Sequence, residues 1–146
     1  MKTWLRRMGM IVAVLVAARL VAACVWPTIN DVKTGETPQY ADLQPQRFAQ
    51  PYDRVFDAAL ATAASLGWEV TGQDRGDGTI EAVATTRVFR FKDDVTIRIG
   101  REDAGSSVNV RSHSRIGKGD LGTNARRIRA FQAELARRIG GAAAPA

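Results

Sequence analysis

Cysteine and histidine each occur once in the 146 residues, and their scarcity excludes several kinds of chemistry. The single cysteine, Cys24, cannot form a disulfide bond within the chain. Together with the single histidine, His113, it does not supply the roughly four ligands that a His/Cys zinc site needs. We therefore predict no metal ion and no cofactor, and we interpret His113 as a solvated strand residue.

The motifs of common catalytic and nucleotide-binding sites are also missing. The chain has no Gly-x-Ser-x-Gly elbow, and Ser112 and Ser114 face away from His113 if all three lie on one strand. The glycines of residues 117–122 follow neither the dinucleotide fingerprint nor the phosphate-binding loop with its Lys-Ser/Thr pair. The sequence predicts no catalytic residue, and an unrecognised enzyme is the least favoured of three functional hypotheses.

Acidic residues are scarce at both ends of the chain. Residues 1–24 contain four basic residues and no acidic residue, and residues 106–146 contain eight basic and two acidic residues. An arginine-rich helix can indicate a nucleic-acid partner, but no aromatic residues interleave these arginines to stack on bases. The export signal described next would also remove the chain from nucleic acid. We therefore predict no nucleic-acid partner, and either a solvated helix face or one that meets anionic lipid headgroups.

The first 24 residues have the pattern of an export signal. Lys2, Arg6 and Arg7 precede an apolar run over residues 8–18, and small residues precede Cys24. The string Val-Ala-Ala-Cys over residues 21–24 resembles the lipobox of bacterial lipoproteins, in which the cysteine receives a lipid and becomes the first residue. We predict that residues 1–24 are a lipoprotein signal peptide and that Cys24 is lipidated.

Two alternatives remain for this segment. Residues 8–26 form a stretch of 19 residues with one charge, Arg19, which is barely long enough to span a bilayer as an uncleaved signal anchor. The other alternative is a helix of a cytosolic protein with a buried free cysteine. The lipoprotein and the anchor both place the domain on the periplasmic side of a bacterial cell envelope, because the N-terminal cations favour the cytoplasm.

The rest of the chain predicts one small α+β domain. Residues 25–46 contain three prolines and no periodicity, which is typical of a linker, residues 47–139 form the domain, and residues 140–146 form a flexible tail. The patterns predict helices over residues 51–66 and 120–139 and strands over residues 68–73, 79–86, 95–101 and 107–114.

Short turns join these four strands, which favours an antiparallel sheet, with the two helices packed on it as a two-layer sandwich. An N-terminal membrane-targeting helix precedes this domain. The second helix is expected to bury a stripe of apolar side chains, namely Leu121, Ile128, Phe131, Leu135 and Ile139.

Two groups of polar residues are candidates for a binding site. Asp93 and Asp94 are adjacent and point to opposite faces of a strand, so they either form salt bridges with Arg111 or Arg115 or serve as carboxylates for a substrate or metal. The glycine-rich loop before the last helix could present backbone N–H groups to an anion. The side chains for that anion are Arg115, Lys118, Asn124 and Arg127, although we favour Asp120 or Asn124 as a cap of the helix.

Three strings in this region resemble a known family. They are FKDDV at residues 91–95, RSHSRIG at residues 111–117 and DLGTNARRI at residues 120–128. The chain resembles the bacterial proteins grouped as domain of unknown function 1499, over residues 40–135. The resemblance implies a small α+β domain that often follows a lipoprotein signal or a membrane helix, and it implies no activity. His113 departs from the family pattern, which counts against a shared catalytic role for it.

These observations predict a membrane-tethered envelope protein that works by binding. The first hypothesis is a non-catalytic interaction module or accessory subunit at the membrane surface, with an envelope or membrane-complex protein as its partner. The alternative is a binder of a small anionic ligand or lipid headgroup at the turn and helix start between Arg115 and Arg127.

Overall fold

The computed structural model describes residues 2–25 and 27–140. Its helices and strands are, in chain order, α1 (Lys2–Val25), β1 (Asp31–Lys33), a short 3₁₀ helix (Pro38–Tyr40), β2 (Gln46–Phe48), α2 (Tyr52–Ser65), β3 (Glu69–Asp74), β4 (Thr79–Thr85), β5 (Lys92–Glu102), β6 (Gly105–Ser114) and α3 (Thr123–Gly140).

Six antiparallel strands form one sheet, and α2 and α3 pack on one of its faces. The strand order is β1-β6-β5-β4-β3, and β2 pairs with β6 next to β1. The long β5–β6 hairpin sets the register, with Asp93 opposite Ser114 at one end and Glu102 opposite Gly105 at the other. The predicted α+β class and antiparallel sheet are confirmed, but the sheet has six strands where four were predicted.

The additional strands lie in the segment that was predicted to be a linker. Val32 of β1 is fully buried, Leu43 is 1% exposed, and Asp31 pairs with His113 of β6. The prediction of a linker over residues 25–46 is therefore wrong from residue 31 onward. Strands of three residues are too short to show an alternating pattern, so periodicity did not reveal them.

The core lies between the sheet and the two helices. Inward-facing side chains alternate along the strands, as the sequence predicted, and α3 contributes Ile128, Phe131, Leu135 and Ile139. The ring of Phe131 stacks on Trp68 with 5.5 Å between the ring centroids. Leu121 was predicted to belong to this stripe and does not, since it precedes the helix and is 60% exposed.

The helix boundaries follow local chemistry. Pro51 immediately precedes α2, and Gly67 ends it with a φ of 74°, a left-handed conformation in which glycine meets no steric penalty. The last helix begins at residue 123 and not at the predicted residue 120. Leu121 and Gly122 have φ angles of 51° and 74°, which are incompatible with a right-handed helix.

The described side chains of the N-terminal helix contribute nothing to this core. The described side chains of α1 are exposed, and every residue of the core lies between residues 29 and 139. Within residues 2–25 and 27–140, no helix combines the length and the apolar character needed to cross a membrane.

Two predictions fall partly or wholly outside what the structure describes. Cys24, the predicted lipidation site, lies in α1, and its side chain is outside the described part. Of the predicted tail, only residue 140 is described, and it belongs to α3.

Candidate functional site

The predicted site residues divide into a buried group and an exposed group, and the buried group is held by Arg127. Its side chain is 9% exposed and donates hydrogen bonds to Asp93 Oδ2 at 2.7 Å and Asn124 Oδ1 at 2.7 Å. The same guanidinium donates to Ser112 Oγ at 2.9 Å. Because Asp93 is itself 3% exposed, the two charges neutralise each other inside the protein. Arg127 is therefore not a free cation for a ligand.

Asn124 extends this buried network toward the start of the sheet. Its carboxamide accepts a hydrogen bond from Ser112 Oγ at 2.6 Å and donates to Ser114 Oγ at 2.9 Å. It also donates to the backbone oxygen of Asn30 at 3.0 Å. Asn124 thus ties α3 to β6 and to the residues that lead into β1.

Asp120 is the residue that caps α3. Its two carboxylate oxygens accept hydrogen bonds from the backbone N–H groups of Gly122, at 2.8 Å, and of Asn124, at 2.7 Å. Asp120 or Asn124 was predicted to cap the helix, and these hydrogen bonds identify Asp120 as the capping residue. These two N–H groups are consequently not directed at an external anion.

Two further cations of the predicted site, Arg115 and Arg111, form exposed ion pairs. Arg115 binds Asp94 with 2.6 Å between Nη2 and Oδ1, as predicted, and Arg111 binds Asp31 with 2.6 Å between Nη2 and Oδ2. The Arg115 guanidinium lowers the pKa of the Asp94 carboxyl, and Arg111 lowers the pKa of Asp31 in the same way, while partial burial opposes both shifts. Asp93 and Asp94 point to opposite faces of β5, so they cannot act as a general acid/base pair.

His113 lies half-buried on the face of the sheet opposite the helices, between its strand partners Asp31 and Asp94. Lys118 is the one predicted cationic site residue that forms no ion pair with a described residue. The candidate anion site is thus brought together in space, but most of its charge is already paired. Within the described residues, no cluster of His, Cys, Asp and Glu has the arrangement of a metal site.

Beside this network lies an apolar groove of about 790 Å³, which the sequence did not reveal. It runs between the β4–β5 turn, residues 86–91, and the β6–α3 loop, residues 115–122. We call the exposed apolar side chains of these two loops the apolar tips; they are Val88, Phe89, Phe91, Ile116 and Leu121.

Both loops hold a non-glycine residue in the left-handed conformation. Arg90 has a φ of 56° and Leu121 a φ of 51°, whereas side chains ordinarily disfavour positive φ. On either side of Arg90, the rings of Phe89 and Phe91 stack with 5.5 Å between their centroids and 18° between their planes. Residues in such conformations concentrate at functional sites, because folding alone does not reward the strain.

Cations surround the apolar tips. We call them the basic rim, and each is exposed and forms no ion pair within the described part of the chain; they are Arg87, Arg90, Lys92, Lys118 and Arg126. Two carboxylates line the groove, Asp93 and Asp120, and each already has partners of its own. An unbalanced positive charge therefore surrounds an apolar surface.

The chain joins the sheet at this same end. Asn30 donates a hydrogen bond from its side chain to the backbone oxygen of Gly117 at 2.6 Å, and Asp120 N–H donates to Ile29 O at 3.1 Å. The residue that precedes them, Thr28, lies against Gly119. Whatever precedes residue 27 is therefore connected to the domain beside the β6–α3 loop.

The sequence contained a weak sign of the groove. The string RVFRFK over residues 87–92 alternates cations with large apolar residues inside a turn, where polar turn residues would be ordinary. Its apolar members are 80%, 73% and 42% exposed in the order Val88, Phe89 and Phe91. Periodicity alone could not separate this exposed string from the buried start of a strand.

Comparisons with known proteins identify a family and leave the chemistry open. In structure the chain is similar to TTHA0849 from Thermus thermophilus, with 13% sequence identity and a TM-score of 0.43 over 78% of this chain and 99% of that one. A similarity of this size says nothing about function. The curated proteins include no match to the chain.

A family profile, by contrast, matches residues 21–135, which includes β1, β2 and the whole network around Arg127. This match confirms the family to which the three sequence strings pointed. The chain belongs to the family described as protein of unknown function (DUF1499).

Proposed function

We propose that this protein is a non-catalytic binding module held at a membrane surface in the bacterial cell envelope, with a lipid on Cys24 as its tether. The string at residues 21–24 and the cations at Lys2, Arg6 and Arg7 support the signal and its orientation. The domain then lies on the periplasmic side, where an envelope protein or the membrane itself is its partner.

The observation that carries this proposal is where the tether meets the fold. Only four residue steps separate Cys24 from Thr28, which lies against Gly119 of the β6–α3 loop. An extended chain of this length spans at most about 14 Å. A lipid on Cys24 would therefore keep the apolar tips and the basic rim close to the bilayer, because no long linker separates the lipid from the domain.

The proposal of binding without catalysis is supported by the polar groups next to the groove. Asp93 and Arg127 neutralise each other, and Asp120 caps α3. A general acid, a general base or a nucleophile must instead reach a substrate atom directly. The alternative of an anionic ligand at Arg115 and Arg127 has less support, since binding there would require both guanidinium groups to give up their carboxylates.

Protease treatment of spheroplasts tests the proposed location. In spheroplasts with an intact inner membrane, added protease should digest the domain while a cytoplasmic marker protein survives. A domain that survives until the inner membrane is lysed would lie in the cytoplasm, and the proposed function would be wrong.

A further inference from the structure

We propose that the apolar tips and the basic rim together form a bilayer-docking surface, with the tips inserted among the headgroups of an anionic membrane and the rim on lipid phosphates. This inference rests on the proposed function for its setting, and it names the partner of the surface. It does not require the lipid on Cys24, so the two claims can fail separately.

The shape of the surface fits a bilayer. The tips lie on two neighbouring loops at one end of the sheet, and Val88, Phe89, Ile116 and Leu121 are each at least 60% exposed. Large apolar residues at this exposure gain from transfer into the headgroup and acyl boundary, where aromatic rings are favoured. A core residue of the domain has no such gain left, because it is already buried.

The conformation of the loops holds these side chains outward. Arg90, with its φ of 56°, joins Phe89 and Phe91, whose rings stack on each other, and Leu121, with its φ of 51°, is 60% exposed. The backbone is thus strained where it exposes apolar groups, which favours a surface that has a partner.

The positive charge of the basic rim favours an anionic bilayer over an uncharged protein surface as the partner. Five cations that form no ion pair with a described residue lie on the two loops, at the first residue of β5 and on the first turn of α3. Each cation near an anionic membrane surface strengthens binding about fivefold at low salt, and the effect weakens within a Debye length of roughly 8 Å at physiological salt. The short connection to residue 24 brings the same end of the domain toward the membrane.

Vesicle binding tests this inference with residues 27–146, which contain every residue of the described core. The protein is cosedimented with vesicles of phosphatidylcholine alone and of phosphatidylcholine mixed with phosphatidylglycerol. We expect binding to the mixed vesicles that is at least about tenfold stronger than to the neutral ones and that weakens as salt is added.

Two double variants separate the apolar term from the charge term. Phe89→Ser/Phe91→Ser should weaken binding to the mixed vesicles about tenfold or more, and Arg87→Gln/Arg90→Gln should weaken it about twentyfold at low salt. All four side chains are exposed, so the thermal unfolding midpoint should stay unchanged.

Matched controls come from elsewhere on the surface. Val70→Ser removes an exposed apolar side chain from β3, and Arg98→Gln/Arg101→Gln removes two exposed cations near the end of β5 that is farther from the groove; each should change binding less than about twofold. Equal losses in the controls, or no preference for the mixed vesicles, would overturn the inference.

A further measurement separates a bilayer from a single lipid. One molecule of short-chain phosphatidylglycerol bound per protein, below the concentration at which that lipid aggregates, would assign the groove to an individual lipid and overturn docking on a surface. Vesicle binding in a protein whose Cys24 carries no lipid would support the docking surface and contradict the proposed tether. A lipidated Cys24 in a protein that does not bind vesicles would support the tether and overturn the docking surface.

Discussion

At the start of α3, the guanidinium of Arg127 and the carboxamide of Asn124 form hydrogen bonds to each other and to residues of β5, β6 and the segment before β1. Arg127 and Asn124 together bind Asp93, Ser112 and Ser114, and Asn124 also reaches the backbone before β1. Buried polar groups are costly unless each has its partner, so the network fixes where α3 sits on the sheet. Its members were visible as polar residues in the sequence, but their role was not.

Removing Arg127 should lower the stability of the fold, because Asp93 would lose its buried cationic partner. Arg127→Met leaves Asp93 buried without a cation, and we expect the free energy of unfolding in urea to fall by about 3–5 kcal/mol. Arg115→Met, which removes an exposed partner of Asp94, should cost far less. Adding Asp93→Asn to Arg127→Met should recover part of the loss, because the stranded charge is then gone. A loss no larger than that of Arg115→Met would contradict the structural role of Arg127.

The exposed pair of Asp31 and Arg111 predicts a dependence on pH. Arg111 lowers the pKa of Asp31 in the folded protein, so the stability from this pair is present above the ordinary aspartate pKa and is lost as the pH falls through the folded-state value. Because both side chains are nearly half exposed, we expect Asp31→Asn to cost only about 0.5 kcal/mol at neutral pH. Urea unfolding should show that difference narrowing below about pH 4, and a difference that widens there would contradict the assignment.

At the scale of elements, the sequence was informative where a pattern was long enough to repeat. The helix over residues 51–66 was predicted within one residue at each end, and the strands that form the middle of the sheet were found because their apolar residues alternate over several positions. The three-residue strands β1 and β2 have no repeat to detect, and only their pairing with β6 defines them. The two left-handed residues that move the start of α3 include Leu121, which carries no sequence signal of the kind that a glycine gives.

Substitution of two glycines with nearly the same φ angle should lower the free energy of unfolding by different amounts. Gly67 and Gly78 have φ angles of 74° and 73°, but a Cβ on Gly67 would meet open space, whereas one on Gly78 would overlap the carbonyl oxygen of Ile99. We expect Gly67→Ala to cost about 1 kcal/mol, which is the penalty of the left-handed conformation alone. Gly78→Ala should cost at least about 2 kcal/mol more, because β5 must move to accommodate the methyl group. Equal losses in urea unfolding would show that the β3–β4 turn packs differently.

At the scale of the whole molecule, three features meet at one end of the sheet. The chain enters there beside Gly119, the apolar tips project there, and the basic rim surrounds them. The opposite face of the sheet has a second concave region of about 780 Å³, but its charged side chains include the paired Asp31, Lys33 and Arg111. The proposed tether would therefore present the end of the domain that carries the apolar tips and the basic rim.

The sequence alone could not have joined these features. A linker over residues 25–46, as predicted, could hold the domain well off the membrane or lie along it, so the sequence provided no basis for a fixed orientation toward a membrane. The pairing of β1 with β6 shortens the free segment to a few residues, because residues 31–33 belong to the sheet. The family profile begins at residue 21 and covers this segment together with the domain.

The most direct test of the tether is the intact mass of the protein extracted from its native membrane. The proposed lipid tether predicts a chain that has lost residues 1–23 and carries an added lipid mass on Cys24. An unmodified full-length mass would contradict it, since the domain would then be held at the membrane by something other than a lipid, or not held there at all.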